Sequence, residues 1–226
     1  SLHDALPFSV VVGIISSSTT SAIITGNTVA NLNNNYAGSN NAGLIRGIVT
    51  SAGVNTITGN TVRNLSTTSA NTATITAALI GQSGIGIAAI STAAGQTVSQ
   101  NTVHSLANSA ASAAVHVTGI YFAAGTSTGH VIARNFVHSL AVSSSSASSV
   151  LNGMQFVAGS FTAQNNLVRV GLDASGSSTA GASIVRGIFD NGTTEGRNFY
   201  HNSVYVGGTQ TSGSASSRAF DGTSGV

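Results

Sequence analysis

The chain has 226 residues, 41% hydrophobic and only 5% charged, with seven arginines, no lysine and five acidic residues giving a formal net charge of +2. Charges make up about 25% of an ordinary globular sequence, so the polar surface here must come from Ser, Thr, Asn and Gly. Seven scattered arginines exclude a nucleic-acid groove, which needs cations clustered along one face, and no apolar run approaches the roughly 18 residues of a membrane-crossing helix.

Ser, Thr and Asn side chains compete with helical hydrogen bonds, and Gly carries a high entropic cost in a helix. The composition therefore predicts negligible helix. No composition shift, charge run or Pro-rich linker divides residues 1–226, which read as one domain. The opening "SLHDALPFSV" lacks both an initiator Met and a basic leader region, so the chain reads as an internal segment of a longer protein or a processed product. Absence of cysteine suits a secreted protein and a cytosolic one alike.

The predicted elements alternate along the chain. A glycine strand "VVGII" (11–15) is followed by a strand with a corner, "IITGNTVANL" (23–32). The pair returns as "IRGIV" (45–49) with "TITGNTVRNL" (56–65), then "GIGIA" (84–88) with "TVSQNTVHSL" (97–106), then "VTGIY" (117–121) with "VIARNFVHSL" (131–140). Weaker copies are "LNGMQ" (151–155) before Asn166 and "VRGIF" (185–189) before "FYHNSVYVGGT" (199–209), and a degenerate "SRAFD" (217–221) closes the series. Asn stands at 27, 60, 101, 135, 166 and 202, in steps of 33, 41, 34, 31 and 36 residues. Length varies most between each Asn and the next Gly, in Ser-rich tracts that read as surface loops, with long loops at 66–82 and 141–150.

Side-chain parity accounts for the corner. Two apolar columns flank each Asn: one three residues before it (Ile24, Ile57, Val98, Ile132, Ala163, Phe199), the other two residues after it (Val29, Val62, Val103, Val137, Val168, Val204). Residues five apart in a straight strand face opposite ways, so both columns point inward only if the chain bends between them. Gly, and Asn next best, tolerate the left-handed backbone such a bend needs. Asn side chains turned inward on successive coils would then hydrogen-bond as a ladder of Asn27, Asn60, Asn101, Asn135, Asn166 and Asn202. Strands recurring every ~35 residues without helices between them fit a parallel solenoid of six to seven coils, each about 4.8 Å above the last.

The "GI…NTV.NL" pattern, and "FYHNSVYVGGT" above all, resembles right-handed parallel β-helix repeat proteins, whose fold is shared with pectate lyases. The similarity is to the repeats of large secreted and surface proteins of bacteria. It implies an all-β, right-handed parallel β-helix and an extracellular or cell-surface location. β-Helices serve as enzymes, adhesins and passive stalks, so the resemblance leaves activity open.

Pectinolytic relatives work with clustered acids. Here Asp190, Glu195 and Asp221 are the only acids near enough in the repeat to group, and the alternative function is a carbohydrate-cleaving site built on them. Arg186 and Arg218 share a column beside them, and charge pairing explains the group without catalysis. The residue after each column Val faces outward, giving a stripe of Arg63, His104, His138, Arg169 and Tyr205. His104 and His138 are expected to stack, but two imidazoles without Cys or carboxylate make a poor metal site, and no metal or cofactor is assigned. The stripe reads first as a solvated face and second as a surface for glycans. The leading expectation is a non-enzymatic stalk, surface-layer or fibre segment whose open coil edges stack end to end into filaments.

Overall fold

The structure, a computed structural model, describes residues 10–73, 82–173, 175–178, 183–209 and 216–222. Each coil contributes three strands. In chain order they are β1 (Val10–Ser16), β2 (Ser21–Thr25) and β3 (Thr28–Asn34); β4 (Leu44–Thr50), β5 (Val54–Thr58) and β6 (Thr61–Thr67); then β7 (Gly84–Ala89), β8 (Thr97–Ser99) and β9 (Thr102–Asn108). The next coil has β10 (His116–Ala123), β11 (His130–Ala133) and β12 (Phe136–Val142), and the fifth has β13 (Val150–Ala158), β14 (Phe161–Gln164) and β15 (Leu167–Val170). The sixth has β16 (Ile184–Asp190), β17 (Arg197–Tyr200) and β18 (Ser203–Val206), and β19 (Ser217–Gly222) begins a seventh.

Every third strand pairs in parallel, so three sheets run the length of the molecule: β1-β4-β7-β10-β13-β16-β19, β2 through β17, and β3 through β18. This is the parallel β-solenoid of about six turns that the repeat spacing requires. Helix among the described residues is limited to a single 3-10 turn, Asn41–Gly43. Both apolar columns stack in register through all six coils, as Ile24↔Ile57 and Val29↔Val62 illustrate. Ile57, Val62, Ile132, Val137 and Val168 are fully buried. The core is aliphatic in the early coils and becomes aromatic later, where Phe156, Phe161, Phe199 and Phe220 form a chain of ring contacts with centroids 4.6–5.4 Å apart.

The glycine strand and the cornered strand interlock. A Cβ placed on Gly119 would collide with the Val137 side chain and lie 2.6 Å from the Gly153 carbonyl oxygen. The same Gly-on-Val contact recurs for Gly13 with Val29, Gly47 with Val62, Gly86 with Val103, Gly153 with Val168 and Gly187 with Val204. The glycine column is therefore the seat of the valine column, and the first sheet lies that close because it lacks a Cβ there.

Corner geometry departs from the Gly-Asn account in one respect. The left-handed residue is always the one before the ladder Asn, but only Gly26 and Gly59 are glycine; Gln100, Arg134, Asn165 and His201 hold φ of 51–56°. A second left-handed position lies within the third-sheet strands at Asn31, Asn64, Ser105 and Ser139. It resolves a second parity conflict, because Val29 and Leu32 stand three residues apart and both turn toward the core.

Candidate functional site

The six corner asparagines form one continuous hydrogen-bonded column. Each Nδ2 donates to Oδ1 of the next asparagine, from Asn27 to Asn60, Asn101, Asn135, Asn166 and Asn202, at 2.9–3.0 Å. The backbone N–H of each rung donates to the same oxygen at 2.9–3.1 Å. From Asn60 onward the second Nδ2 hydrogen goes back to a carbonyl of the preceding coil, for example Asn101 to Ile57 O at 2.9 Å. Asn60, Asn101, Asn135 and Asn166 are each 1% exposed, so every donor they bury is satisfied, as burial demands.

The column has a direction. From rung to rung, the backbone N–H and one Nδ2 hydrogen point toward later coils and each Oδ1 toward earlier ones. At one end Asn27 offers an Oδ1 that accepts nothing among the described residues, and at the other Asn202 offers an unused backbone N–H.

A second inner column, five residues before each rung, escaped sequence reasoning because its chemistry changes along the rod: Ala22, Asn55, Gln96, His130, Phe161 and Arg197. Gln96 Oε1 accepts from Asn55 N and Nδ2, both at 3.0 Å. Gln96 N in turn donates to His130 Nδ1 at 3.1 Å. His130 Nε2 lies 3.0 Å from Ser127 Oγ, whose proton goes to the Ala124 carbonyl, so Nε2 carries the ring proton. The only sequence signal is position, since no residue type repeats.

The outward stripe also lies in register: Arg63, His104, His138, Arg169 and Tyr205 are level on β6, β9, β12, β15 and β18. The two imidazoles stack with centroids 4.7 Å apart and planes 4° from parallel. Each ring is fixed by its Nδ1 on a neighbouring hydroxyl, Ser105 at 3.0 Å and Ser139 at 2.9 Å. Phe136 lies against His138 at 4.3 Å. Arg63 to Arg169 are half-buried, while Tyr205 is exposed. No cluster of three or more His, Cys, Asp or Glu able to hold a metal occurs among the described residues.

Burial, then His104, then Arg169 push the His138 imidazole down to about 4, and burial followed by Arg63 lowers His104. Burial also lowers His130 and His116, with the Ser127 contact partly opposing it in the former. A histidine that is harder to protonate folded than unfolded contributes stability above its unfolded pKa of about 6.5, and loses it as pH falls toward the folded value. Lowering the pH from 7 to 5, where carboxylates stay ionised, is expected to reduce unfolding free energy by about 1 kcal/mol through His138 after allowing for solvent screening. Urea midpoints of the wild type and His138→Asn at both pH values check this. An equal drop in the two proteins would contradict the assignment to His138.

The three acids do not form one cluster. Asp221 stands level with Phe189, and Asp190 with Gly222. That one-residue offset sends the two carboxylates to opposite faces of the sheet. Asp221 is held by Arg186 at 2.6 Å and Arg218 at 2.7 Å. Asp190 pairs with Arg197, which also donates to the Phe156 carbonyl. Glu195 is exposed on the bend before β17. Charge pairing thus accounts for both buried acids, with Arg197 rather than Arg186 as the partner of Asp190. Asp4 and part of the 66–82 loop lie outside the described residues.

These features define a parallel β-solenoid whose coils are joined by a polar ladder and a Gly-on-Val lock. No protein-family model, curated protein or solved structure matches the chain. No helix among the described residues is long and apolar enough to cross a membrane.

Proposed function

We propose that the chain is a non-enzymatic structural segment of an extracellular bacterial β-helix protein, a stalk, surface-layer or fibre component that extends by adding coils end to end. The observation that carries this reading is the polarity of the ladder. Among the described residues, Asn202 presents an unused donor where Asn27 presents an unused acceptor, so a coil joins head to tail and in one orientation only. β1 and β19 are the outer strands of the first sheet, and unpaired strand edges are templates for pairing. β19 already holds the next level of the first sheet, above β17 and β18 of the other two, so this edge accepts the flanking repeat of a longer chain directly and a second copy by its β1 displacing β19.

Sedimentation velocity over a wide concentration range tests the second case. The proposal expects mass to grow by whole protomers, and Asn27→Leu, which removes the terminal acceptor, to suppress growth. A monomer at every concentration would count against it.

A second reading rests on the stacked His104 and His138 flanked by Arg63, Arg169 and Tyr205: a five-rung outward column suited to lying along a surface glycan. Glycan-array binding that disappears on substituting Arg63, His104 and His138 would favour it.

A further inference from the structure

The outer face of the first sheet carries a cavity of about 370 Å³ that neither the ladder nor the stripe uses. In most of this sheet the outer face is covered: Val49, Ile85, Ala88 and Tyr121 form a second apolar cluster outside the solenoid. Toward the later coils the side chains become polar, and the cavity lies at that transition.

Two adjacent columns form its floor. Tyr121, Gln155 and Phe189 are level on β10, β13 and β16, and Thr118, Asn152 and Arg186 are level beside them. Gln82, from the connection before β7, reaches the same place. Its Nε2 donates to Gln155 Oε1 at 2.8 Å, and Asn152 Nδ2 donates to that oxygen at 3.1 Å.

Two amides sharing one acceptor leave the oxygens of both Gln82 and Asn152 buried with no donor, and buried polar atoms normally have partners. Among the described residues Gln155 Nε2 finds only Asn191 Oδ1, at 3.5 Å, the outer limit of a hydrogen bond. The cavity therefore holds two acceptors in need of protons and one loosely engaged donor, all on side chains that rotate about their terminal torsion.

The cationic side chain of the lining is already paired. Arg186 gives its Nε to the Asp221 carboxylate and lies 4.1 Å over the Phe189 ring, so an acidic ligand would compete with Asp221 for it. Rings line two walls, and the volume sits near the small end of ligand sites, about 300–1,000 Å³. Hydroxyl hydrogens, apolar ring faces and small size are the matching chemistry.

We propose that this cavity binds a neutral, multiply hydroxylated ligand the size of one sugar ring, hydrogen-bonded by Gln82, Asn152, Gln155 and Asn191 between Tyr121 and Phe189. The site is independent of rod extension, because it lies on a side of the solenoid and not on a coil edge.

The test is a titration of the isotope-labelled full chain with galactose, glucose, myo-inositol and galacturonate, following side-chain amide resonances. At least one neutral probe is expected to shift Asn152 and Gln155 saturably in the millimolar range. Gln155→Ala and the exposed-site variant Asn191→Ala are expected to weaken that binding about tenfold or more, one hydrogen bond's worth, with unchanged circular dichroism. Retention of affinity in Asn191→Ala would overturn the proposal if Gln155→Ala failed to fold. So would binding of galacturonate alone, saturation at His104 and His138 instead, or no saturable shift with any neutral probe.

Discussion

Asn101→Ala is expected to lower the unfolding free energy by about 3–5 kcal/mol, since a buried donor deprived of its acceptor costs ~1–3 kcal/mol and two are affected. Asn60 loses the oxygen that both its backbone N–H and its Nδ2 reach at 3.0 Å, and the Ile57 carbonyl loses its side-chain donor. Because these groups are sealed between coils, water cannot replace the missing partner without opening the corner. Asn101→Asp keeps an acceptor for Asn60 but sets a carboxylate against Asn135 Oδ1, so it is expected to be no milder. Asn27→Ala is the control. Among the described residues its Oδ1 accepts nothing, and the residue is exposed, so the expected cost is below about 1 kcal/mol. Urea denaturation of the three variants checks the order. Equal effects at Asn27 and Asn101 would mean that the ladder contributes no more inside the rod than at its end.

Gly119→Ala is expected to cost about 3 kcal/mol, at the upper end of overpacking changes. The added methyl meets the Val137 side chain on one side and the Gly153 carbonyl oxygen, at 2.6 Å, on the other. A valine rotamer does not relieve a backbone contact, so the first sheet must move away from its neighbour. Adding Val137→Ala removes one collision and leaves the other. The double variant is thus expected to recover more than about 1 kcal/mol relative to additivity. Strict additivity in thermal or urea unfolding would show that Gly119 and Val137 do not lock together.

What the sequence displays and what it conceals follow from the same geometry. The Asn, Gly and Val columns are legible because each position meets the same partners in every coil, Asn on Asn and Gly on Val, so one residue type satisfies all six. The column through Asn55, Gln96, His130, Phe161 and Arg197 is illegible because unlike neighbours satisfy one another: a backbone N–H on an imidazole, a guanidinium 5.3 Å over a ring. The second left-handed position was concealed differently. Asn31, Asn64, Ser105 and Ser139 are ordinary surface residues by composition, and only the odd spacing of Val29 and Leu32 reveals the kink.

The outer apolar cluster of Val49, Ile85, Ala88 and Tyr121 is announced by "GIGIA" and "VTGIY", where apolar residues occupy both faces of one strand. Grouping the acids failed on register. Asp190 follows Gly187 by three residues and Asp221 follows Ala219, at the same repeat position, by two, and that one residue of difference puts the two on opposite faces.

Electron microscopy of the purified chain at rising concentration is the most direct test of a rod extended by its own ladder. Unipolar filaments with a ~4.8 Å axial strand spacing, shortened or abolished by Asn27→Leu, are the predicted result. Isolated rods of about 30 Å, the height of six coils, at every concentration would contradict it.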